Sequence, residues 1–446
     1  MLKAATACAL VLLASMGAAG GDGKAGIAWK PGLAAAFEEA KASKKPLFIA
    51  INAKNVEGEQ VEAASRHLRE DVYPHARVVE RSRAFVCVLL RDPISSDDGA
   101  QLRSRFSIEG LIVSPQHLWV HSDGTLIERK EYWEHSDVAE SVEALVSMMG
   151  VALKAHEAHL ALPALGPDAA SRSAWIAAAR DLVRTSADID VRRAAARELA
   201  GNDRKGDCLA ALESLLVEAK DVKKEEVPAY VEVVRLLGLP ENEAAVPALS
   251  AMLDAKDPAL RANAAVSLEY VGSAKAVPAL LKRSAKEKDD QVHCDLLRAT
   301  GRCGTKDASV RKTLTHEAAG KSDPVAVGAI IGLAHFSGDA DAARGLEKCW
   351  KDAEEGLRRA AILWALVEIH DPKTADFLRG ELANGQKFAQ SYRLVQAASA
   401  CFEGRVNPAR SELDSGLRWG MTEKKILPDA ARAGRREAKY VPKGDE

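Results

Sequence analysis

The chain has 446 residues, more than one ordinary domain holds, so two or three folded units are expected. Hydrophobic residues make up 47% of it and charged residues 28%, a balance typical of folded protein that argues against wholesale disorder. The 62 basic and 64 acidic residues leave a formal net charge of −2, so the overall charge does not favour nucleic acid or an anionic membrane as a partner. Aromatic residues amount to only 5% while alanine is frequent, which favours closely packed helices.

Residues 1–20 have the layout of a secretory signal peptide. Lys3 places a positive charge near the start, an uncharged apolar run extends from Ala4 to Met16, and small residues follow. The run is too short to span a bilayer comfortably, and a retained membrane anchor is the alternative. Cys8 lies inside the run and does not follow a lipoprotein cleavage pattern, so no lipid anchor is expected. We predict export to the periplasm or the extracellular space, with no later segment that could cross a membrane.

The chain contains seven cysteines, and none of them belongs to a C-x-x-C pair. They are Cys8, Cys87, Cys208, Cys294, Cys303, Cys349 and Cys401. A disulfide-dense scaffold would place its cysteines much closer together, so the pattern predicts buried free thiols, mostly on helices. Cys294 and Cys303 are the only close pair, and a disulfide between them is the alternative.

Residues 27–150 alternate helical and extended patterns. Two continuous apolar runs predict strands that are buried on both faces, as in a parallel sheet. These runs are 47–51 and 84–90. The D-G pair Asp123-Gly124 between apolar runs predicts a hairpin. Helical patterns occur at 33–43, 61–72, 101–106 and 138–149, so the order is helix, strand, helix, strand, helix, hairpin, helix.

This order resembles the thioredoxin-like family through four stretches of sequence. They are Lys45 to Ala50, Phe85 to Leu90, Val113 to Val120, and Ser122-Asp123-Gly124. The resemblance implies an α/β thioredoxin-like domain over 27–155. It also implies a cis bond between Ser114 and Pro115, with a peptide-binding groove around these two residues.

The sequence departs from that family where the reactive cysteines belong. Thioredoxin-like enzymes place C-x-x-C directly after the first central strand, at a helix N-terminus that stabilises the thiolate. Here that place reads Asn52 to Glu59 and contains no cysteine. Cys87 is the one cysteine of residues 27–155. It lies in an apolar strand, where burial raises the pKa of a thiol. We therefore predict a redox-inactive domain with no catalytic residue and no cofactor.

The second half of the chain has a regular period. Apolar anchors that follow similar motifs fall at Val191, Val227, Leu260, Val292, Val325 and Leu357. Their spacings are 36, 33, 32, 33 and 32 residues, and a fixed period in this range indicates a repeat architecture. Each unit carries two helical stretches. Glycines near the end of the first stretch predict left-handed helix caps at Gly201, Gly238, Gly272 and Gly301.

The motif D-P-x-(V/L)-R-x-x-A-A followed by G-x-x-x-A-V-P-A-L resembles short HEAT repeats, including the type found in phycobilin lyases. The repeat at Leu260 fits best, whereas those at Val227 and Val325 lack the arginine. The resemblance implies an all-α HEAT-repeat superhelix, an α-α solenoid of six repeats over 165–404. A degenerate extra repeat near Ser173 to Arg184 is the alternative. Such arrays bind proteins or peptides on a concave surface. Beyond them, 405–446 is predicted to be a flexible tail in which Trp419 could dock.

Three further patterns were weighed as sites. His117 and His121 share one strand face, but no carboxylate or cysteine nearby completes a ligand set, so no metal site is predicted. His156-Glu157-Ala158-His159 is one residue short of the metalloprotease spacing and is interpreted as ordinary helix. Arginines recur at one repeat position, namely Arg192, Arg193, Arg261, Arg358 and Arg359. They are predicted to pair with acids of neighbouring repeats; a basic ridge for an anionic partner is the alternative.

These patterns favour an exported, non-catalytic protein–protein interaction scaffold that combines a degenerate thioredoxin-like domain with HEAT repeats. The alternative is an enzyme, either thiol-disulfide-related or of lyase type, that uses an unrecognised site. The missing cysteine pair argues against redox work, and the lyase idea rests on resemblance of fold alone.

Overall fold

The structure is a computed structural model. It describes residues 26–52, 63–91, 97–106, 114–131, 133, 137–166, 168–202, 206–218, 222–240, 242–353, 356–384, 390–404 and 409–423. The predicted signal peptide 1–20 and the segment 53–59, where the family's cysteines would lie, fall outside these residues. The chain divides into two compact units, 1–156 and 157–446. Within the described helices, none combines the length and the apolar character that a membrane crossing requires.

The first unit contains a five-stranded mixed sheet. Its strands are β1 (Trp29–Lys30), β2 (Leu47–Ile51), β3 (Val86–Leu90), β4 (Gln116–Val120) and β5 (Leu126–Glu131). Their order across the sheet is β1-β3-β2-β4-β5. β3 pairs in parallel with β1 and β2, whereas β4 pairs antiparallel with β2 and β5. The helices of this part of the chain are α1 (Leu33–Ser43), α2 (Ala63–His67), α3 (Ala76–Ser82), α4 (Asp97–Phe106) and α5 (Val138–Ala161). A π-helical turn, Leu68–Val72, continues α2.

The central strand β2 is buried on both faces, as its continuous apolar run predicts. Phe48 and Ala50 belong to a core on one side of the sheet, and Leu47, Ile49 and Ile51 to a core on the other. The predicted hairpin is also present. Gly124 takes φ +92° in its turn, and the Asp123 carboxylate accepts the Thr125 N–H at 2.9 Å. The predicted cis bond between Ser114 and Pro115 is present as well.

The second unit includes the end of α5, and its described residues form helices and connecting loops without a strand. Its further helices are α6 (Ala169–Thr185), α7 (Ile189–Asn202), α8 (Asp207–Glu218), α9 (Val227–Leu237), α10 (Val246–Met252), α11 (Pro258–Val271), α12 (Val277–Ser284), α13 (Asp290–Cys303), α14 (Ala308–Ala318), α15 (Asp323–Leu333), α16 (Ala340–Asp352), α17 (Leu357–Ile369), α18 (Thr374–Asn384), α19 (Gln390–Phe402) and α20 (Ala409–Glu423). We call α7, α9, α11, α13, α15 and α17 the A helices and the helix after each a B helix. All six predicted anchors begin an A helix or lie in its first turns and are at most 8% exposed.

The predicted caps are confirmed at some positions and wrong at others. Asp257 caps α11 by accepting the Ala259 N–H at 2.8 Å, and Gly272 ends that helix with φ +69°. Gly238 ends α9 with φ −74°, which is not left-handed. Gly201 and Gly301 lie inside α7 and α13 and cap nothing.

Gly301 instead allows two A helices to touch through their backbones. A Cβ at Gly301 would lie 2.2 Å from the Gly332 carbonyl oxygen on α15. The same pair of helices meets at Gly328, where a Cβ would lie 2.6 Å from the Cys294 carbonyl oxygen. Since real side chains do not approach so closely, glycine at these positions sets the separation of α13 and α15.

The segment predicted as a flexible tail also differs from the prediction, because its residues 409–423 form α20. Leu413, Leu417 and Met421 are buried and recur every four residues, which gives the helix one apolar stripe. The side chain of Trp419 lies outside the described part of the chain.

We expect Gly301→Ala to lower the free energy of unfolding by about 1–3 kcal/mol, because the added methyl forces α13 and α15 apart. The matched control is Gly380→Ala in α18, where a Cβ meets nothing within 4 Å. That change should be neutral or stabilise by up to about 1 kcal/mol through helix propensity. Thermal denaturation of the full chain measures both variants, and equal midpoints would contradict the close-packing interpretation.

Candidate functional site

A cluster of polar side chains lies at the carboxyl end of β2. Asn52 follows this strand directly, and Ser114 stands just before β4, whose first residue Gln116 pairs with Ile51. Asn52 Nδ2 donates to the Ser65 carbonyl oxygen at 3.4 Å. The hydroxyls of Ser65 and Ser114 are 2.9 Å apart and share a hydrogen bond. The cluster therefore connects the end of the central strand to α2 and to the cis Ser114–Pro115 bond.

The same network continues inward through Tyr73 to His117. The Tyr73 hydroxyl donates to Asn52 Oδ1 at 3.0 Å and lies 2.8 Å from His117 Nε2. Because the phenol has one proton and gives it to Asn52, His117 Nε2–H must donate to the phenol oxygen. This tautomer leaves Nδ1 of His117 as a bare acceptor, and it is buried with no hydrogen-bond partner among the described residues.

Burial keeps both rings of this network neutral. Desolvation lowers the pKa of His117 to about 3 and raises the pKa of Tyr73 well above its usual range. Phe48 stacks on the His117 ring with centroids 5.6 Å apart, and Trp133 meets it edge-on at 5.2 Å. His117 is therefore an aromatic core residue that stays uncharged near neutral pH.

From the sequence alone, Asn52 is identified only as the start of the cysteine-free segment, and Ser65 and Tyr73 are missed. A signal for Ser65 exists in hindsight. It stands three residues before Leu68 and seven before Val72, which puts a polar side chain on an apolar helical stripe. Ser114 is half-buried and Pro115 buried, and their role as a peptide groove stays a prediction.

The thiol of Cys87 takes no part in this cluster. Cys87 is 2% exposed on β3, and its Sγ–H donates to the Ser82 carbonyl oxygen at 3.6 Å. Burial raises the pKa of Cys87 to about 12, so almost no thiolate forms near neutral pH. In the second unit Cys208, Cys294, Cys303, Cys349 and Cys401 are likewise buried free thiols, as predicted.

His117 and His121, weighed as a metal pair, engage different partners. His121 Nδ1 lies 3.2 Å from His156 Nδ1, and His156 Nε2 donates to the Lys44 carbonyl oxygen at 3.0 Å. Because His156 carries its proton on Nε2, its Nδ1 accepts from His121. Both of these rings are buried. His156 lies within α5 and His159 near its end, where it pairs with Glu198 at 3.4 Å, so this short motif is part of a helix as interpreted.

In the repeats, four of the five recurring arginines pair with nearby acids, as predicted, namely Arg192, Arg193, Arg261 and Arg358. Arg192 meets Glu226 at 2.9 Å, and Arg358 meets Asp323 at 2.7 Å. The Arg261 guanidinium forks onto both carboxylate oxygens of Glu287 at 2.9 and 3.0 Å. Burial opposes the ionisation of Glu287, but hydrogen bonds led by that from Arg261 hold its pKa at about 2.

These arginines also bind the backbone of the preceding loop. Arg192 donates to the Ser186 carbonyl oxygen at 2.6 Å, Arg261 to that of Ala255 at 3.0 Å, and Arg359 to that of Ala353 at 2.9 Å. In each case the carbonyl is six residues before the arginine. An arginine one or two residues after the anchor thus ties the start of an A helix to the loop that leads into it.

One surface of the A helices carries the side chains that remain accessible. We call it the A-face and define it by Tyr270 on α11, Arg302 on α13, Ile331 on α15 and His335 just beyond it, and Trp364 and Glu368 on α17. Arg302 is exposed, and the others are half-buried. Beneath Arg302, Arg298 is buried and donates to both oxygens of Glu269 at 2.9 and 3.0 Å. The A-face thus combines aromatic, aliphatic and charged groups above the ion pair of Arg298 and Glu269.

A match to a family model supports the repeat part of the chain. Residues 222–299 match the family model of HEAT repeats, which covers α9 to most of α13. Among solved structures, the chain is similar to the complex of CpcE and CpcF of phycocyanin lyase from Nostoc sp. PCC7120, with 20% sequence identity and a TM-score of 0.33. That alignment covers 51% of this chain and 94% of the other. None of the curated proteins compared with the chain matches it.

The burial of His117 predicts a pH-dependent stability. Its pKa is about 3 in the folded state and 6.5 in an exposed reference, so between these values only the unfolded chain binds the proton. The free energy of unfolding should therefore fall as pH drops below 6.5, by about 1.4 kcal/mol per pH unit from this residue. His117→Phe should flatten that slope, whereas His316→Phe at an exposed position should keep it. Denaturant unfolding followed by tryptophan fluorescence from pH 7 to pH 4 tests this, and parallel slopes would contradict it.

The buried cysteines predict a chain with little thiol reactivity. All six cysteines of the described residues are at most 9% exposed. A thiol reagent such as DTNB should label them slowly in the native protein and completely after unfolding. Fast labelling of two thiols in the native state would instead indicate a redox pair.

Proposed function

We propose that this protein is an exported, non-catalytic scaffold that binds a protein or peptide partner through its HEAT repeats. The observation that carries the proposal is the run of helix pairs that matches HEAT repeats at 222–299 and continues at the same period on both sides. Repeat arrays of this kind present long surfaces whose side chains vary while the packing between repeats is kept. Export, to the periplasm or the extracellular space, rests on the signal-like sequence of residues 1–20.

We further propose that the first unit is a thioredoxin-like domain that has lost its redox chemistry. The strand order, the cis Ser114–Pro115 bond and the neutral cluster at the end of β2 support this assignment. In place of a thiolate, the cluster offers amide and hydroxyl groups, which suit hydrogen bonding to a peptide backbone. In this proposal the domain supplies a second groove around Ser114 and Pro115, without a cofactor, a metal or a catalytic residue.

The A-face is the surface that suits a partner best. It offers the aromatic ring of Tyr270, the aliphatic chain of Ile331 and the exposed guanidinium of Arg302. Aromatic residues and arginine are the types that contribute most to binding at protein interfaces. The A-face is therefore the part of the repeats that we assign to partner binding.

Affinity capture with the full chain tests the proposal, using the envelope fraction of its own source and mass spectrometry. Arg302→Glu should reduce the yield of the captured partner at least about tenfold, because it reverses a charge on the A-face. Lys312→Glu is the matched control, since it reverses one exposed charge on the B helix α14. If no protein is captured, or if both variants capture equally, the A-face scaffold is wrong.

A further inference from the structure

α20, the last helix of the described residues, packs on the end of the A-face that α17 forms. α20 lies against α17 and α19. On α17 it contacts Trp364 and Glu368, which stand 33 residues after Ile331 and His335. Ile331 and His335 in turn stand 33 residues after Arg298 and Arg302 on α13. This spacing is close to the 32 and 33 residues between the last anchors, so α20 covers positions on α17 that correspond to the half-buried Ile331 and His335 on α15.

The contact has both a polar and an apolar part. The Trp364 indole N–H donates to Asp414 Oδ1 at 2.9 Å, and Arg410 pairs with Glu368. The Arg410 guanidinium also lies 5.6 Å from the centroid of the Trp364 ring. The apolar part is the stripe of Leu413, Leu417 and Met421, which are 1%, 8% and 4% exposed. α20 is thus held in place by one cation, one carboxylate and three apolar side chains of its own. We call the surface of α17 and α19 that it covers the seat.

α17 has several helical neighbours besides α20. α17 packs against the neighbouring A helix α15 and against α19, and the B helix α16 packs on it as well. α20 lies on the side that carries Trp364 and Glu368. At the corresponding positions, α15 carries the half-buried Ile331 and α13 the exposed Arg302. The surface on which α20 sits therefore continues toward the earlier repeats.

Intrinsic helix propensity gives α20 little stability of its own. The helix has 15 residues, including Gly416 and Gly420, and isolated helices of this length are marginal in water. Each glycine also costs about 1 kcal/mol relative to alanine within a helix. Its order thus depends on the contacts with α17 and α19, so a better helix with the same pattern can replace it.

We propose that the A-face is a docking site for amphipathic helices and that α20 is its exchangeable internal ligand. A partner helix with apolar residues at three positions four apart, and a cation three residues before the first of them, competes for this seat. Its cation would take the place of Arg410 at Glu368. This inference rests on the proposed scaffold function and specifies the chemical class of the partner.

The test uses a fluorescent peptide with the sequence of residues 409–423 and full-length protein, followed by fluorescence anisotropy. Leu413→Asp with Leu417→Asp removes the apolar stripe and should vacate the seat. Ser411→Asp with Ser415→Asp is the matched control, because it adds the same charge at exposed positions of the same helix. The peptide should bind the first variant at least about tenfold more tightly than the control or the wild type, whose seats are filled.

A charge exchange identifies the seat. Glu368→Arg added to the vacated chain should weaken the peptide at least about tenfold, and an Arg410→Glu peptide should restore binding. Arg410→Glu in the full chain is a milder way to vacate the seat, and it serves if the double aspartate variant does not fold. No binding to a vacated chain whose repeats remain helical by circular dichroism would overturn the proposal. Equal binding to vacated and wild-type chains would overturn it as well.

These results are separable from those of the capture experiment. Peptide binding to the vacated chain without any captured partner would uphold the docking site and refute the scaffold function as proposed. A captured partner that depends on Arg302, with no peptide binding, would uphold the scaffold and refute α20 as an internal ligand.

Discussion

The repeat array depends on backbone contact between successive A helices. At Gly301 and Gly332 the chains of α13 and α15 are so close that neither position has room for a methyl group. This contact buries α15 almost completely, since every residue from Val325 to Ile330 is buried. Helices packed so tightly can present only a few positions to solvent. Any partner of the A helices must therefore be recognised through those positions, which are the ones that form the A-face.

Tight packing also dictates how charges are arranged between the repeats. A charged group buried there costs free energy unless it is paired, and the structure pairs it across the repeat boundary. Arg298 donates through Nη2 to both oxygens of Glu269 on the previous A helix, and Arg261 donates through Nε and Nη2 to the two oxygens of Glu287. Arg261 also bonds the carbonyl oxygen of Ala255. Such fixed geometry sets the register of one repeat against the next, so it defines where the accessible side chains of the A-face fall.

Elements whose residue pattern repeats or alternates along the chain could be predicted from the sequence. Elements that depend on which neighbour a residue contacts in the fold could not. Anchors such as Leu260 could be found because each repeat buries the same position, and β2 because both of its faces are buried. The glycines were misread because the same residue type serves a left-handed cap at Gly272 and a close helix contact at Gly301. α20 was missed because its stripe of Leu413, Leu417 and Met421 lies among charges and glycines. Only the partner surface on α17 and α19 makes that stripe sufficient for a helix.

The cluster at the end of β2 escaped the sequence analysis for a related reason. The cis Ser114–Pro115 bond was predicted from resemblance, but the hydrogen bonds from Asn52 to Ser65 and Tyr73 bring together residues that are distant in sequence.

Every group in the hydrogen-bonded cluster at the end of β2 is neutral. His117, with a pKa of about 3, cannot take up a proton near neutral pH, and Tyr73 cannot release one there. A site built this way is poorly suited to proton or thiol transfer and retains its capacity for hydrogen bonding. In the proposed function, the two units bind by different means, the first through neutral polar groups at the carboxyl end of β2 and the second through the A-face.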